Sequence, residues 1–340
     1  MTVPPQLAAL VSQATQRAAS ADLRIPSSAP APGQRDEDWL ADVAACRTAF
    51  DALTVPPSTP AAQDDVTASE VVIGACTGRL YRPAVPAPAP AVIVYHGGGF
   101  WMAGGQTMRT LADPLCRRLV AHLGAVVLAV DYRLAPEHKY PTPVQDCFTA
   151  LRWIMTKSSQ LGVDPARIGL FGISSGGNMA AATALRAASC PPQARVMVLL
   201  APALDLSGPA ALADVEFHDS LDAVSTELLI PLYVPPHIDR REPAVSPGLA
   251  ADLTGLPPTF VVAAQYDVLR EMGVRFAARL NEAGVPAMAA VYPMTHAVAL
   301  PGTVEEYTAD IIGVLDQALV RREPEACRWF PGRNVKCGSR

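Results

Sequence analysis

Six short runs of this chain are apolar at nearly every position: Ala91 to Tyr95, Ala125 to Val130, Arg167 to Phe171, Val196 to Ala201, Thr259 to Ala264 and Ala287 to Tyr292. A strand with one wet face alternates apolar and polar residues. A strand apolar on both sides is covered on both, the condition of a parallel sheet between two layers of helices. Stretches with apolar residues at helical spacing lie between the runs, as in Thr107 to Leu123, Pro143 to Ser159 and Leu269 to Ala283. The pattern predicts an α/β fold with a doubly wound, mostly parallel twisted sheet flanked by helices.

Two Pro-rich stretches, Pro26 to Pro32 and Pro83 to Pro90, read as stiff extended connectors. Before the main fold, Pro5 to Ala21 and Asp36 to Leu53 carry helical periodicity, the second through Trp39, Val43, Ala44 and Phe50. From Glu70 to Pro83 the residues turn β-rich. The interval from Leu204 to Leu256 is too long for one crossover and holds one expected helix, Ser225 to Tyr233. An insertion after a strand's carboxyl end is where lids over active sites are built. The expected partition is therefore N-terminal cap helices at 1–55, a catalytic core at 56–203 and 257–322, a cap insertion at 204–256 and a tail at 323–340.

The 340 residues carry 27 Lys+Arg against 32 Asp+Glu, a net charge of −5. Without a basic cluster the chain is not read as a nucleic-acid binder. Its longest apolar stretches fall far short of the ~18 residues a spanning helix needs, so no membrane span is expected. No basic segment followed by a hydrophobic run opens the chain, which makes a cytoplasmic location the default. Cys46, Cys76, Cys116, Cys147 and Cys190 are scattered singly with no metal-ligand spacing, and Cys327 and Cys337 in the tail are spaced so that they could pair if oxidised.

The chemistry concentrates in three places. Gly172-Ile173-Ser174-Ser175-Gly176-Gly177 follows an apolar run and precedes Asn178-Met179-Ala180-Ala181-Ala182, a helix start rich in small residues. In that strand, turn and helix context G-x-S-x-G forms a nucleophile elbow, and Ser174 is the nucleophile candidate. A serine needs a base, and a tetrahedral intermediate needs donors for its oxyanion. His96-Gly97-Gly98-Gly99-Phe100, just after the run ending at Tyr95, offers backbone N–H groups of Gly98 and Gly99 to converge with that of Ser175. His96 is read as a brace for this loop. Of the remaining histidines only His296 follows a late strand, and Asp267 follows the one before it, so the order serine, acid, base closes on Ser174, Asp267 and His296. Asp205, also after a strand, is the rival acid. Phe100, Trp101, Met102, Tyr292 and Met294, with Phe217, Leu221 and Tyr233 from the insertion, are candidate pocket residues.

Together the HGGGF segment, Asp131 to Pro141 (DYRLAPEHKYP), the Ser174 elbow, Asp267-Val268-Leu269-Arg270 and His296 resemble the hormone-sensitive-lipase family of α/β hydrolases over residues 80–319. The resemblance implies an eight-stranded sheet, a helical cap built partly from the N-terminus, and esterase activity on short or medium acyl chains through an acyl-enzyme. It implies a small-molecule ester as partner, no metal or organic cofactor, and frequent homodimers. It also implies that Asp131 to Pro141 is structural. The chain departs from the family pattern at Ile173, at Ser175 and at His296-Ala297-Val298. Similar plant proteins act as lyases on natural products or as a hormone receptor; retention of all three triad residues weighs against the receptor.

Overall fold

The computed structural model describes residues 3–20, 27, 29–31, 34–53, 66–84, 88–190, 193–208 and 230–322. Most of the insertion helix expected at Ser225 to Tyr233, Phe217 and Leu221, and the two tail cysteines lie outside these residues. Two helices come first, α1 (Pro5–Ser20) and α2 (Asp36–Leu53). A hairpin follows, β1 (Val66–Ile73) and β2 (Cys76–Pro83), closed by a tight turn at Gly74-Ala75.

Among the described residues one sheet holds eight strands, in the order β1, β2, β4 (Val126–Asp131), β3 (Ala89–Tyr95), β5 (Val163–Ile173), β6 (Val196–Leu200), β7 (Thr259–Tyr266) and β8 (Ala287–Thr295). The hairpin and its junction with β4 are antiparallel. From β4 to β8 every pair is parallel. Each of the six apolar runs thus became a strand of the parallel part, and the β-rich stretch became the antiparallel edge.

Why the runs are apolar throughout is visible in the packing. Ile93, Leu128, Leu170 and Leu199 pack on one face with α4 (Thr142–Thr156), α6 (Ser175–Ser189) and α7 (Arg270–Glu282). Their strand neighbours Val92, Val127, Phe171 and Val198 pack on the other face with α3 (Gly105–Leu123) and α8 (Pro301–Leu315). Side chains alternate along a strand, so covering both faces demands apolar residues of both parities. Each such side chain contributes about 1.5–3 kcal/mol by burial. A one-turn helix, α5 (Ser158–Leu161), leads into β5. Helix α3 stops at Gly124, whose left-handed backbone lets its N–H donate to the Val120 carbonyl.

Trp39, Val43 and Cys46 of α2 join the same buried cluster as Phe100, Trp101 and Met102 after β3, and as Tyr233 and Val245 from the interval after β6. Two distant parts of the chain therefore reach the segment after β3, α2 through Arg47 on the Trp101 carbonyl and the interval after β6 through Tyr233 on Phe100. No helix among the described residues is long and apolar enough to cross a membrane.

Candidate active site

Ser174 follows β5, His96 to Phe100 follow β3, Asp267 follows β7 and His296 follows β8. In a parallel sheet these ends share one edge, so residues far apart in sequence converge there. Ser174 sits in the sharp turn between β5 and α6 with φ 55° and ψ −116°, a strained conformation for a residue with a side chain. Its N–H donates to the Leu200 carbonyl at 2.8 Å. Its own carbonyl accepts from Gly177, Asn178 and Ala203, which holds the turn from three sides. The turn also requires glycine at its exit: a Cβ on Gly176 would lie 2.1 Å from the Tyr95 carbonyl oxygen and 2.4 Å from that of His96.

His296 completes the arrangement. Its Nε2 lies 2.9 Å from Ser174 Oγ and its Nδ1 lies 2.9 Å from Asp267 Oδ2. Asp267 is fully buried, and its Oδ1 accepts the Leu269 N–H at 2.8 Å, so the carboxylate is oriented from behind. The rival Asp205 has its Oδ1 in a local turn, where it accepts the N–H of Ser207 at 3.0 Å. In this arrangement the serine proton can pass to Nε2 while the carboxylate holds the Nδ1 proton.

The N–H of Ser175 lies in the first turn of α6, where backbone donors have no partner within the helix and the helix dipole favours negative charge. Opposite it, the glycine loop is closed by N–H donations from Trp101 and Met102 to the Gly98 carbonyl. His96 is buried, stacks on Tyr132 with ring centroids 4.3 Å apart, and sets Nδ1 2.6 Å from the Gly97 carbonyl oxygen. Burial lowers its pKa, so the ring is neutral at pH 7. The Tyr132 hydroxyl donates to the His96 carbonyl, which ties the segment after β4 to the start of this loop.

Of the pocket candidates, Phe100 stacks face to face on Tyr233 at 4.0 Å, and Trp101 and Met102 are buried in the same cluster. Tyr292 and Met294 belong to the buried cluster on the other face of the sheet. Two positions apart on β8, they face the same way, into the core beneath α3 and α8, and the Tyr292 hydroxyl donates to Asp310 at 2.5 Å. Sequence reasoning also passed over Arg47 of α2, which reaches the backbone of Trp101 and Ala135. No local pattern could have flagged it, because its partners are 54 and 88 positions away. Among the described residues, no group of three or more His, Cys, Asp or Glu is placed to hold a metal ion.

A doubly wound sheet carrying an elbow serine, a histidine and a buried carboxylate at its carboxyl edge has the form of an α/β hydrolase. Residues 92–300 match the family model described as alpha/beta hydrolase fold. An arylesterase of Saccharolobus solfataricus is 35% identical over 62% of this chain and 68% of that protein. An ethyl acetate hydrolase of Pseudomonas putida is 32% identical over 71% of this chain and 77% of that protein. Among solved structures, a hyperthermophilic esterase from the archaeon Pyrobaculum calidifontis superposes with a TM-score of 0.77 at 31% identity, covering 93% of this chain and 99% of that one. The chain belongs to the hormone-sensitive-lipase-like family of α/β hydrolases and is a carboxylic-ester hydrolase.

Proposed function

We propose that Ser174 attacks the ester carbonyl while His296 takes its proton, and that Asp267 keeps the imidazole in the productive tautomer. The N–H groups of Gly98, Gly99 and Ser175 receive the oxyanion. His296 returns the proton to the leaving alcohol; the same ring then activates the water that releases the acid from Ser174. The observation that carries this reading is the pair of 2.9 Å contacts of His296, one to the serine oxygen and one to the buried carboxylate.

The substrates are carboxylic esters with short or medium acyl chains, with Phe100, Trp101 and Met102 as apolar wall. The name of the Pseudomonas putida relative supports the short end of that range. On this reading residues 1–55 and 204–256 are the cap and 56–203 with 257–322 the catalytic core. Five cysteines present as free thiols support a cytoplasmic setting. The edge position of β8, with Val291 half exposed, supports homodimerisation through that strand.

Ser174→Ala tests the reading. Turnover of p-nitrophenyl butyrate should fall by about six orders of magnitude, and a serine-reactive phosphonate should add its mass to wild type on the peptide holding Ser174 and not to the variant. Near-normal turnover by the variant overturns it.

A further inference from the structure

The loop from Gly98 to Ala103 is unusually strained. Gly98, Gly99, Phe100 and Ala103 all have positive φ, at 117°, 59°, 73° and 62°. For Phe100 and Ala103, which carry a Cβ, a left-handed conformation costs about 1–2 kcal/mol each. Strain of this kind persists only where the surroundings impose it. Two groups do so from outside. The Tyr233 ring lies against Phe100. The other is Arg47, from a helix more than fifty positions earlier in the chain.

Arg47 is engaged by all three of its guanidinium nitrogens. Nε donates to the Trp101 carbonyl at 2.7 Å, one terminal nitrogen donates to the Ala135 carbonyl at 2.5 Å, and the terminal pair grips Glu137 at 2.7 and 2.8 Å. Both carbonyls belong to one hydrogen-bonded unit, since the Ala135 N–H donates to the Phe100 carbonyl at 3.0 Å. The N–H groups of Trp101 and Met102 in turn fix the Gly98 carbonyl. A continuous set of bonds therefore runs from α2 through Trp101 to the peptide unit that joins Gly98 to Gly99 and carries the Gly99 N–H. Burial by itself would raise the Glu137 pKa, but the hydrogen bond and charge of Arg47 pull it below its ordinary value, so the carboxylate anchoring the guanidinium is ionised at neutral pH.

We propose that Arg47 is a positioning residue for the oxyanion hole: the N-terminal helix α2, through this one guanidinium, holds the glycine loop in the strained geometry that aims its N–H groups at the developing oxyanion. The role rests on the esterase mechanism proposed above. Arg47 touches no reacting atom and acts through the backbone of Trp101 and Ala135. Only the planar fork of arginine can hold two carbonyls and a carboxylate at once; a lysine ammonium brings one point charge to the site.

A donor displaced by about 1 Å costs on the order of 100-fold in rate, and outright loss of one donor costs 100- to 1,000-fold. Arg47→Ala should therefore lower kcat about 10- to 100-fold and leave KM within about threefold. A substrate-like trifluoromethyl ketone, which takes the Ser174 oxygen at its carbonyl carbon and leaves an oxyanion in the hole, should lose affinity in step with kcat/KM. Arg47→Lys, which keeps the charge and the alkyl stem, should fall between wild type and alanine in both measurements, and it stands alone if the alanine variant does not fold. Arg35→Ala, which removes an exposed pair with Asp38 at the start of the same helix, should leave both unchanged. Wild-type kcat in the folded arginine variants overturns the proposal. So does a rise in KM alone, or a fall in kcat with undiminished ketone affinity. Failure of the underlying mechanism has a separate signature: wild type unlabelled by the phosphonate at Ser174.

Discussion

Asp267→Asn isolates what the buried carboxylate contributes. The aspartate accepts two hydrogen bonds, from the Leu269 N–H through Oδ1 at 2.8 Å and from His296 Nδ1 through Oδ2 at 2.9 Å. An asparagine of the same shape has one acceptor. If its oxygen stays on the Leu269 N–H, its amide donor faces Nδ1, and the ring must give up the Nδ1 proton to accept it. The proton then sits on Nε2, the atom 2.9 Å from Ser174 Oγ, and the lone pair that should take the serine proton is gone. If the amide flips instead, a buried N–H opposes a buried N–H, at about 1–3 kcal/mol. The first arrangement wins, and the expected loss in kcat is about 10⁴, or about 5 kcal/mol of transition-state stabilisation, with KM little changed. Steady-state hydrolysis of p-nitrophenyl butyrate measures it, beside Asp205→Asn, whose Oδ1 accepts the Ser207 N–H in a local turn and which should stay within about threefold of wild type. A tenfold or smaller loss at Asp267, or a larger one at Asp205, would refute the assignment of the acid.

Two further outcomes bear on the scaffold. Gly176→Ala should cost about 3 kcal/mol or more, because its Cβ meets two backbone oxygens that cannot withdraw, whereas Gly302→Ala, in α8 with nothing within 4 Å, should stabilise by up to about 1 kcal/mol. Thermal unfolding of the pair would contradict the packing if the two shifts shared a sign. With iodoacetamide at pH 8, the peptide carrying Cys190, which is exposed, should be alkylated while those with Cys46, Cys76, Cys116 and Cys147 are not. Burial raises the pKa of each of those four thiols, Cys76 to about 12, so the reactive thiolate is scarce as well as inaccessible. Mass spectrometry of the native protein reads the pattern directly.

Much of this molecule could be read along the chain because the relevant physics is local. The six buried strands announce themselves through runs such as Val92 to Tyr95, where both faces need apolar cover. The elbow is legible because a strand, a serine between glycines and a small-residue helix lie within a dozen positions. Which way a strand residue faces is less legible, and Tyr292 shows why. An aromatic two positions from Met294 and four before His296 reads as a pocket wall, yet which side of β8 it occupies depends on register against β7, and the register turns it toward Asp310.

The sequence by itself determined the sheet, the elbow and the order in which Ser174, Asp267 and His296 follow their strands, since each depends on neighbours in the chain or on strand succession. Only the tertiary structure brings Asp267 within 2.9 Å of His296, because a distance between two strand ends cannot be read along a chain. Only it could bring Arg47 onto the glycine loop. That contact spans half a hundred residues and uses backbone carbonyls, which are chemically identical everywhere in a chain and leave no mark on its sequence.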